Sequence, residues 1–263
     1  MKVAIISDIH GNLPALQAVM EDIGRHQPDD IYCLGDLVNF AGWDNEVIDL
    51  IRKHGITCIQ GNHDEGIGYN KSQFPFSYKT EAEREFGLQS IAIVNQHITD
   101  ENRRFLKNLP FSIQLQFRFP FHPVKLVMVH GSPLSNNEYV MSNLKDSTML
   151  ELLDDVGADI LLMGHTHIPF CRSIYAEREN EKIYRHLINA GSVGKPKHGN
   201  NRACYVILTI HERMELTDPN SIFADFHYVT YDTDAVIEHI KSIGLSDAYD
   251  QFLRKGQKAY NHG

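Results

Sequence analysis

The chain has 263 residues, 42% hydrophobic and 22% charged, enough for one large globular domain or two small ones and unlike a disordered or fibrous protein. A formal net charge of −9 argues against a long polyanion held by general electrostatics, so no extended nucleic-acid surface is expected. No run reaches the roughly 18 apolar residues of a membrane span, Asp8 interrupts the first apolar stretch too early for a signal peptide, and the cysteines (Cys33, Cys58, Cys171, Cys204) form no C-x-x-C pair, so reduced thiols in a cytoplasmic protein are expected.

In chain order, Val3–Ile6 reads as a buried strand followed at once by SDIHGN. Leu16, Val19, Met20 and Ile23 then share one helical face, with Asn12 as N-cap and Pro14 in the first turn. Ile31–Leu34 is a second strand, ending in GDLVNFAG, and Val47, Leu50 and Ile51 mark a helix that stops near Gly55. Ile56–Ile59 leads into QGNHD. The polar stretch at about 69–110 reads as a helical insertion with Thr80 and Thr99 as caps. Ile113, Leu115, Phe117 and Phe119 alternate with polar residues, as in a half-buried strand. Lys125–Val129 precedes HGSP, a helix over Leu150, Leu152, Leu153 and Val156 ends at Gly157, and Asp159–Met163 precedes GHTH. Strands alternating with helices predict a parallel sheet, with all these polar clusters at carboxyl ends, where ligands bind. Strand-like segments at 183–189, 203–210 and 226–231, joined by loops, predict a second sheet packed on the first, and Asp234–Ile243 a closing helix.

The strand ends carry the chemistry. They offer Asp8 and His10, then Asp36, then Asn62, His63 and Asp64, then His130, then His165 and His167. Side-chain alternation would turn His165 and His167 to one side and Thr166 away. Mixed nitrogen and oxygen donors suit Mn, Fe, Zn, Co or Ni; the lack of thiolates argues against a structural zinc site, and the many imidazoles against Mg or Ca. The seven donors Asp8, His10, Asp36, Asn62, His130, His165 and His167 are too many for one ion that keeps open positions, and suit two ions about 3.5–4 Å apart sharing a carboxylate. Gly35, Gly61, Gly131 and Gly164 beside them permit tight turns and close backbone approach.

The ordered motifs Asp8-Ile9-His10, Gly35-Asp36-Leu37-Val38-Asn39-Phe40-Ala41-Gly42, Gly61-Asn62-His63-Asp64, Val129-His130-Gly131 and Gly164-His165-Thr166-His167 resemble those of the calcineurin-like metallophosphoesterase superfamily. HGSPLSNNEYV and NAGSVGKPKHGNNRACYVIL resemble its small prokaryotic predicted-phosphodiesterase branch, with Lys197 where Arg is common and His198 where Asp is common. The resemblance implies an α/β fold, a four-layer α/β/β/α sandwich of two mixed sheets, formed by residues 1–263 as a single domain. By it Asp8, His10 and His167 hold one metal, Asn62, His130 and His165 the other, and Asp36 bridges, with Mn or Fe favoured. It implies phosphodiester hydrolysis of a small or nucleotide-like substrate by a metal-bridging hydroxide. A dinucleoside polyphosphate hydrolase, a nuclease and a non-catalytic interaction scaffold are the alternatives.

His63, next to a ligand, is expected to protonate the leaving group or stabilise the transition state. Protein-phosphatase relatives orient this histidine with an Asp three residues after the bridging carboxylate; Asn39 stands there in this chain, and Asp64 or a backbone carbonyl is expected to substitute. Lys197 and Arg202 are expected at the substrate phosphate, and His122, His186 and His227 are read as structural or surface residues.

Overall fold

The first apolar run forms β1 (Lys2–Ile6), which lies parallel to β2 (Asp30–Cys33), itself parallel to the short β3 (Thr57–Cys58). On its other side β1 pairs antiparallel with β9 (Ala203–Ile210), and β9 with β10 (Ile222–Val229), giving the order β10-β9-β1-β2-β3. A second five-stranded sheet has the order β4-β5-β6-β8-β7, from β4 (Ser112–Arg118), β5 (Pro123–Val129), β6 (Ile160–Met163), β7 (Phe170–Arg178) and β8 (Glu181–Asn189). The computed structural model describes residues 1–74, 80–119, 123–178, 180–211, 214–245 and 250–255; His122 lies outside them.

Two expectations change here. The five apolar runs do not share one parallel sheet: β1, β2 and β3 belong to the first, β5 and β6 to the second. The segments at 203–210 and 226–231 give β9 and part of β10 in the first sheet rather than joining the second. Apolar patterning reports that a strand is covered on both faces, not which strand lies beside it. β7 has no apolar run to mark it in the sequence, because its residues alternate between exposed and partly buried around a single buried Ile174.

Strand alternation builds the layers. In β1, Val3 and Ile5 face the other sheet, packing with Leu126, Met128, Leu162 and Leu208. Ala4 and Ile6 face outward onto helices α1 (Leu13–His26) and α2 (Asp44–Lys53), among Leu16, Val19, Ile23, Val47 and Ile51. In the second sheet Val127, Val129, Leu161 and Met163 face outward onto Met149 and Leu153 of α6 (Asp146–Val156). The stacking is therefore α/β/β/α, and each fully buried Val, Leu or Ile contributes about 1.5–3 kcal/mol.

Local signals set the helix ends. The Asn12 side chain accepts from Ala15 N at 3.1 Å, and Gly157 ends α6 with φ 59°. Three further helices sit between the sheets in sequence: α3 (Asn62–Gly68), α4 (Glu81–His97) and α5 (Asp100–Lys107), the last two capped by Thr80 and Thr99. Ile91, Val94, Ile98 and Leu106 tie α4 and α5 into the core outside the first sheet. Helices α7 (Thr233–Ser242) and α8 (Asp250–Lys255) follow β10. No described helix is long and apolar enough to cross a membrane.

Candidate metal centre

The carboxyl ends of β1, β2 and β3 meet those of β5 and β6. His130, after β5, donates from Nδ1 to Leu34 O at 2.7 Å, and Asp8 Oδ2, after β1, accepts from His165 N at 3.0 Å, so the junction stitches the two sheets. The proposed ligands stand beyond the strands, and strand alternation does not aim them. Asp8, His10, Asp36, His165 and His167 all have left-handed backbones, with φ of 53°, 51°, 56°, 62° and 61°. Such conformations cost of order 1–3 kcal/mol each and persist where surrounding contacts impose them. Here parallel loops impose them: Asp8 N donates to Gly35 O, and Ile9 N and His10 N to Asp36 O, at 2.8–3.0 Å.

All seven sequence-predicted ligands come together and all are buried. Asp8, His10 and His167 place ligand atoms within 4.8 Å of one another, as do Asp36, His130 and His165. Asn62 Oδ1 lies 3.1 Å from His130 Nε2. Asp36 joins the two sets: its Oδ2 lies 3.7 Å from His10 Nε2 and 3.3 Å from His130 Nε2, while its Oδ1 accepts from His63 N at 2.9 Å.

The donor set fits a bound cation. His10 Nδ1 and His167 Nδ1 face the carbonyls of Val38 (3.2 Å) and Lys195 (2.6 Å). A carbonyl only accepts, so both protons sit on Nδ1 and both Nε2 atoms present lone pairs. Those lone pairs face each other at 3.2 Å. Burial holds both imidazoles well below the usual histidine range, so neither charges to relieve the repulsion. A cation between them resolves it. Asp8 Oδ1 and His165 Nε2 are likewise buried without a hydrogen bond, a costly state for a polar atom with nothing to bind. Burial brings His165 down to about 3. His130 behaves differently. Burial opposes its charge, but Asp36 and then Asp8 outweigh it and raise it to about 10, so a proton stands where a cation would.

His63 faces the same cleft, 4.9 Å ring to ring from His10, and burial lowers it to about 4. Asp64 does not orient it, contrary to expectation. The Asp64 carboxylate is engaged elsewhere: Oδ2 accepts from Asp36 N (2.7 Å) and Gly61 N (3.0 Å), and Oδ1 from Leu37 N (2.8 Å). It caps α3 and fixes the Asp36 turn. The partner of His63 is Asn39, whose Nδ2 lies 2.9 Å from His63 Nδ1. The Asn39 amide orientation is set by Phe40 N, which can only donate and lies 3.0 Å from Asn39 Oδ1; Ser90 of α4 also hydrogen-bonds this oxygen. Nδ2 therefore donates to His63 Nδ1, and neutral His63 carries its proton on Nε2.

Around the cleft stand residues that sequence reasoning missed. Lys195 Nζ sits 3.3 Å from the centre of the Phe40 ring, and Tyr139 packs on His165 at 4.2 Å. Lys195, Lys197 and Tyr139 line the cleft with His63, His165 and His167. Lys197 is at the cleft, tied by its N–H to His167 O at 3.2 Å. Arg202 is not; its guanidinium lies 5.2 Å from the Tyr228 ring and does not line the cleft. The signal for Lys195 was present, since K-P-K puts two lysines two residues apart, but only the fold shows that both reach the cleft.

Comparison with known proteins identifies the family and the fold. Residues 1–169 match the calcineurin-like phosphoesterase family. An uncharacterised protein of Methanocaldococcus jannaschii is 34% identical over 216 residues, 78% of this chain and 81% of that one. UDP-2,3-diacylglucosamine hydrolase of Sodalis glossinidius is 24% identical over 212 residues, 68% of this chain and 87% of that protein. Among solved structures, a metallophosphoesterase from Sphaerobacter thermophilus is 25% identical with a TM-score of 0.69, covering 96% of this chain and 98% of its own. A hypothetical protein from Pyrococcus horikoshii OT3 shares the fold at 20% identity and a TM-score of 0.71, over 98% of this chain and 99% of its own. With its ordered motifs converging at the meeting of two mixed sheets, and its first 169 residues matching the family, the chain belongs to the calcineurin-like phosphoesterases.

Proposed function

We propose that the protein hydrolyses phosphodiesters of a small or nucleotide-like substrate at a centre of two divalent transition ions, with Mn or Fe favoured. One observation carries the reading: Asp36 Oδ2 stands between His10 Nε2 at 3.7 Å and His130 Nε2 at 3.3 Å, one imidazole from each ligand group. Asp8, His10 and His167 would hold one ion, Asn62, His130 and His165 the other, and Asp36 both. Paired divalent ions supply an acidified water as nucleophile and offset the charge that builds on phosphoryl oxygens.

The chain's own residues do the rest. Lys195 and Lys197 line the cleft; Lys197 offers a cationic end that draws an anionic ester in despite the chain's net charge of −9, while burial holds the Lys195 amine well below the usual lysine range. His63, with its proton on Nε2, donates a hydrogen bond toward the leaving oxygen. Free thiols at Cys33, Cys58, Cys171 and Cys204 support a reducing, cytoplasmic setting.

The test is metal-stripped protein reloaded with Mn, Fe, Zn, Co or Ni in turn, then assayed on phosphodiesters, phosphomonoesters and dinucleoside polyphosphates. The expected result is diester turnover rising with bound metal to about two ions per chain, and its loss in Asp36→Asn. Turnover of monoesters alone would overturn the diester reading. Full metal loading with no turnover on any ester would leave an interaction scaffold.

A further inference from the structure

We propose a second divalent-metal site, separate from the cleft, built from Asp22, His26 and His227 and suited to zinc or another borderline transition ion. One ligand atom from each of these residues lies within 4.8 Å of the others. Asp22 and His26 are four residues apart on α1, so they share a face, and His26 is the last residue of that helix. Alternation along β10 turns Asp225 and His227 toward α1, opposite to Ala224 and Phe226, which pack between the sheets. The site thus lies at the far end of α1 from the Asn12 cap, about 20 Å along a helix of this length.

The groups are already arranged as a ligand set. The His26 and His227 rings stand 4.3 Å apart between centroids. His227 stacks on Tyr205, its cross-strand partner on β9, at 5.0 Å and 21°, which fixes the imidazole plane. The Tyr205 hydroxyl donates to Asp22 Oδ2 at 2.7 Å, which orients the carboxylate beside His26. His227 Nε2 is buried and makes no hydrogen bond, although Asp225 Oδ2 lies 3.2 Å away and offers a fourth donor. The competing charge is Arg25, which reaches Asp22 Oδ1 at 3.2 Å with a side chain 66% exposed; such surface pairs are weak and yield to an ion.

Two imidazoles and a carboxylate, with the fourth position taken by Asp225 or water, form a donor set that zinc accepts in tetrahedral geometry. Two nitrogens argue against calcium or magnesium. An ion held there would pin the end of α1 to β10, the edge strand of its sheet. Nothing in this site depends on the phosphoesterase reading.

Zinc alone is the probe. The full chain and the double variant His26→Gln/His227→Gln are equilibrated in zinc-buffered solution and their bound metal is counted. The expected result is one ion more per chain in the unsubstituted protein, with phosphoester turnover alike in both. At a hundredfold excess of zinc over its dissociation constant, the unsubstituted protein should melt roughly 5 °C above the double variant. Tyr205→Phe keeps the ring and removes only the hydroxyl that orients Asp22; its zinc affinity at this site should fall about 10–100-fold. Equal zinc counts in the unsubstituted protein and the double variant overturn the proposal. Should the double variant not fold, an unchanged zinc titration in Tyr205→Phe overturns it instead.

Discussion

Asn39 and His63 show what one amide does. Because Asn39 Nδ2 faces His63 Nδ1 at 2.9 Å, the histidine is held neutral with Nε2–H toward the cleft. Replacing Asn39 by Asp turns a donor into a charged acceptor. The proton must move to Nδ1, and the imidazolium becomes favoured. His63, now lowered to about 4 chiefly by burial, should rise by about 1–3 pH units in Asn39→Asp. Imidazole NMR and the pH dependence of turnover both read this; an unmoved titration would mean that Asn39 does not govern His63. His63→Ala should cost about 10²–10⁴-fold on esters with poor leaving groups and much less on activated ones. Lys195 and Arg202 make a paired prediction. Lys195, whose ionisation burial holds well below the usual lysine range, loses its amine but keeps the contact with Phe40 in Lys195→Met, and kcat/KM should fall about 3–10-fold, the worth of one hydrogen bond. Arg202→Ala, which leaves the cleft lining intact, should change it less than about twofold.

At the scale of elements, the site depends on loops approaching more closely than side chains normally allow. A Cβ on Gly61 would run into the Asp36 carboxylate and its backbone nitrogen, because the cap of α3 lies directly against the Asp36 turn. Gly61→Ala should therefore weaken metal binding at least tenfold while the far-ultraviolet circular dichroism stays native, since α3 is short and the sheets do not pass through this residue. Gly164 faces the same constraint against Ser7 and Asp8 Oδ2. Helix α4, part of the region read as an insertion, reaches the site through Ser90, which hydrogen-bonds Asn39 and receives Phe40 N at 2.8 Å.

At the scale of the whole molecule, pH acts through groups that folding buries. His186, wholly buried on β8 beside Ser173, is lowered to about 4 by burial, against about 6.5 when unfolded. Between those values the unfolded chain binds the proton and the folded one does not, so stability is full above about pH 6.5 and falls as pH drops toward 4. The loss amounts to roughly 3 kcal/mol. Denaturant unfolding across that window should show it, and His186→Gln should flatten the slope. At the proposed metal centre the sign reverses for binding. His130, raised to about 10 by its carboxylate neighbours despite burial, must release its proton to take an ion, so metal affinity should climb with pH.

The sequence by itself determined which Asp, His and Asn residues follow the strands, and most of the strands and helices, because each motif is local. An apolar run followed by Asp, His or Asn is legible within ten residues, and so are caps such as Asn12, Thr80 and Thr99. Only the tertiary structure decided that β5 and β6 lie in the second sheet and β9 in the first, since burial on both faces gives each strand the same pattern whatever its neighbour. It also decided that Asn39 rather than Asp64 holds His63, and that Lys195 rather than Arg202 turns into the cleft. Those choices rest on hydrogen bonds and packing between segments far apart in the chain, where no period or spacing survives to be read.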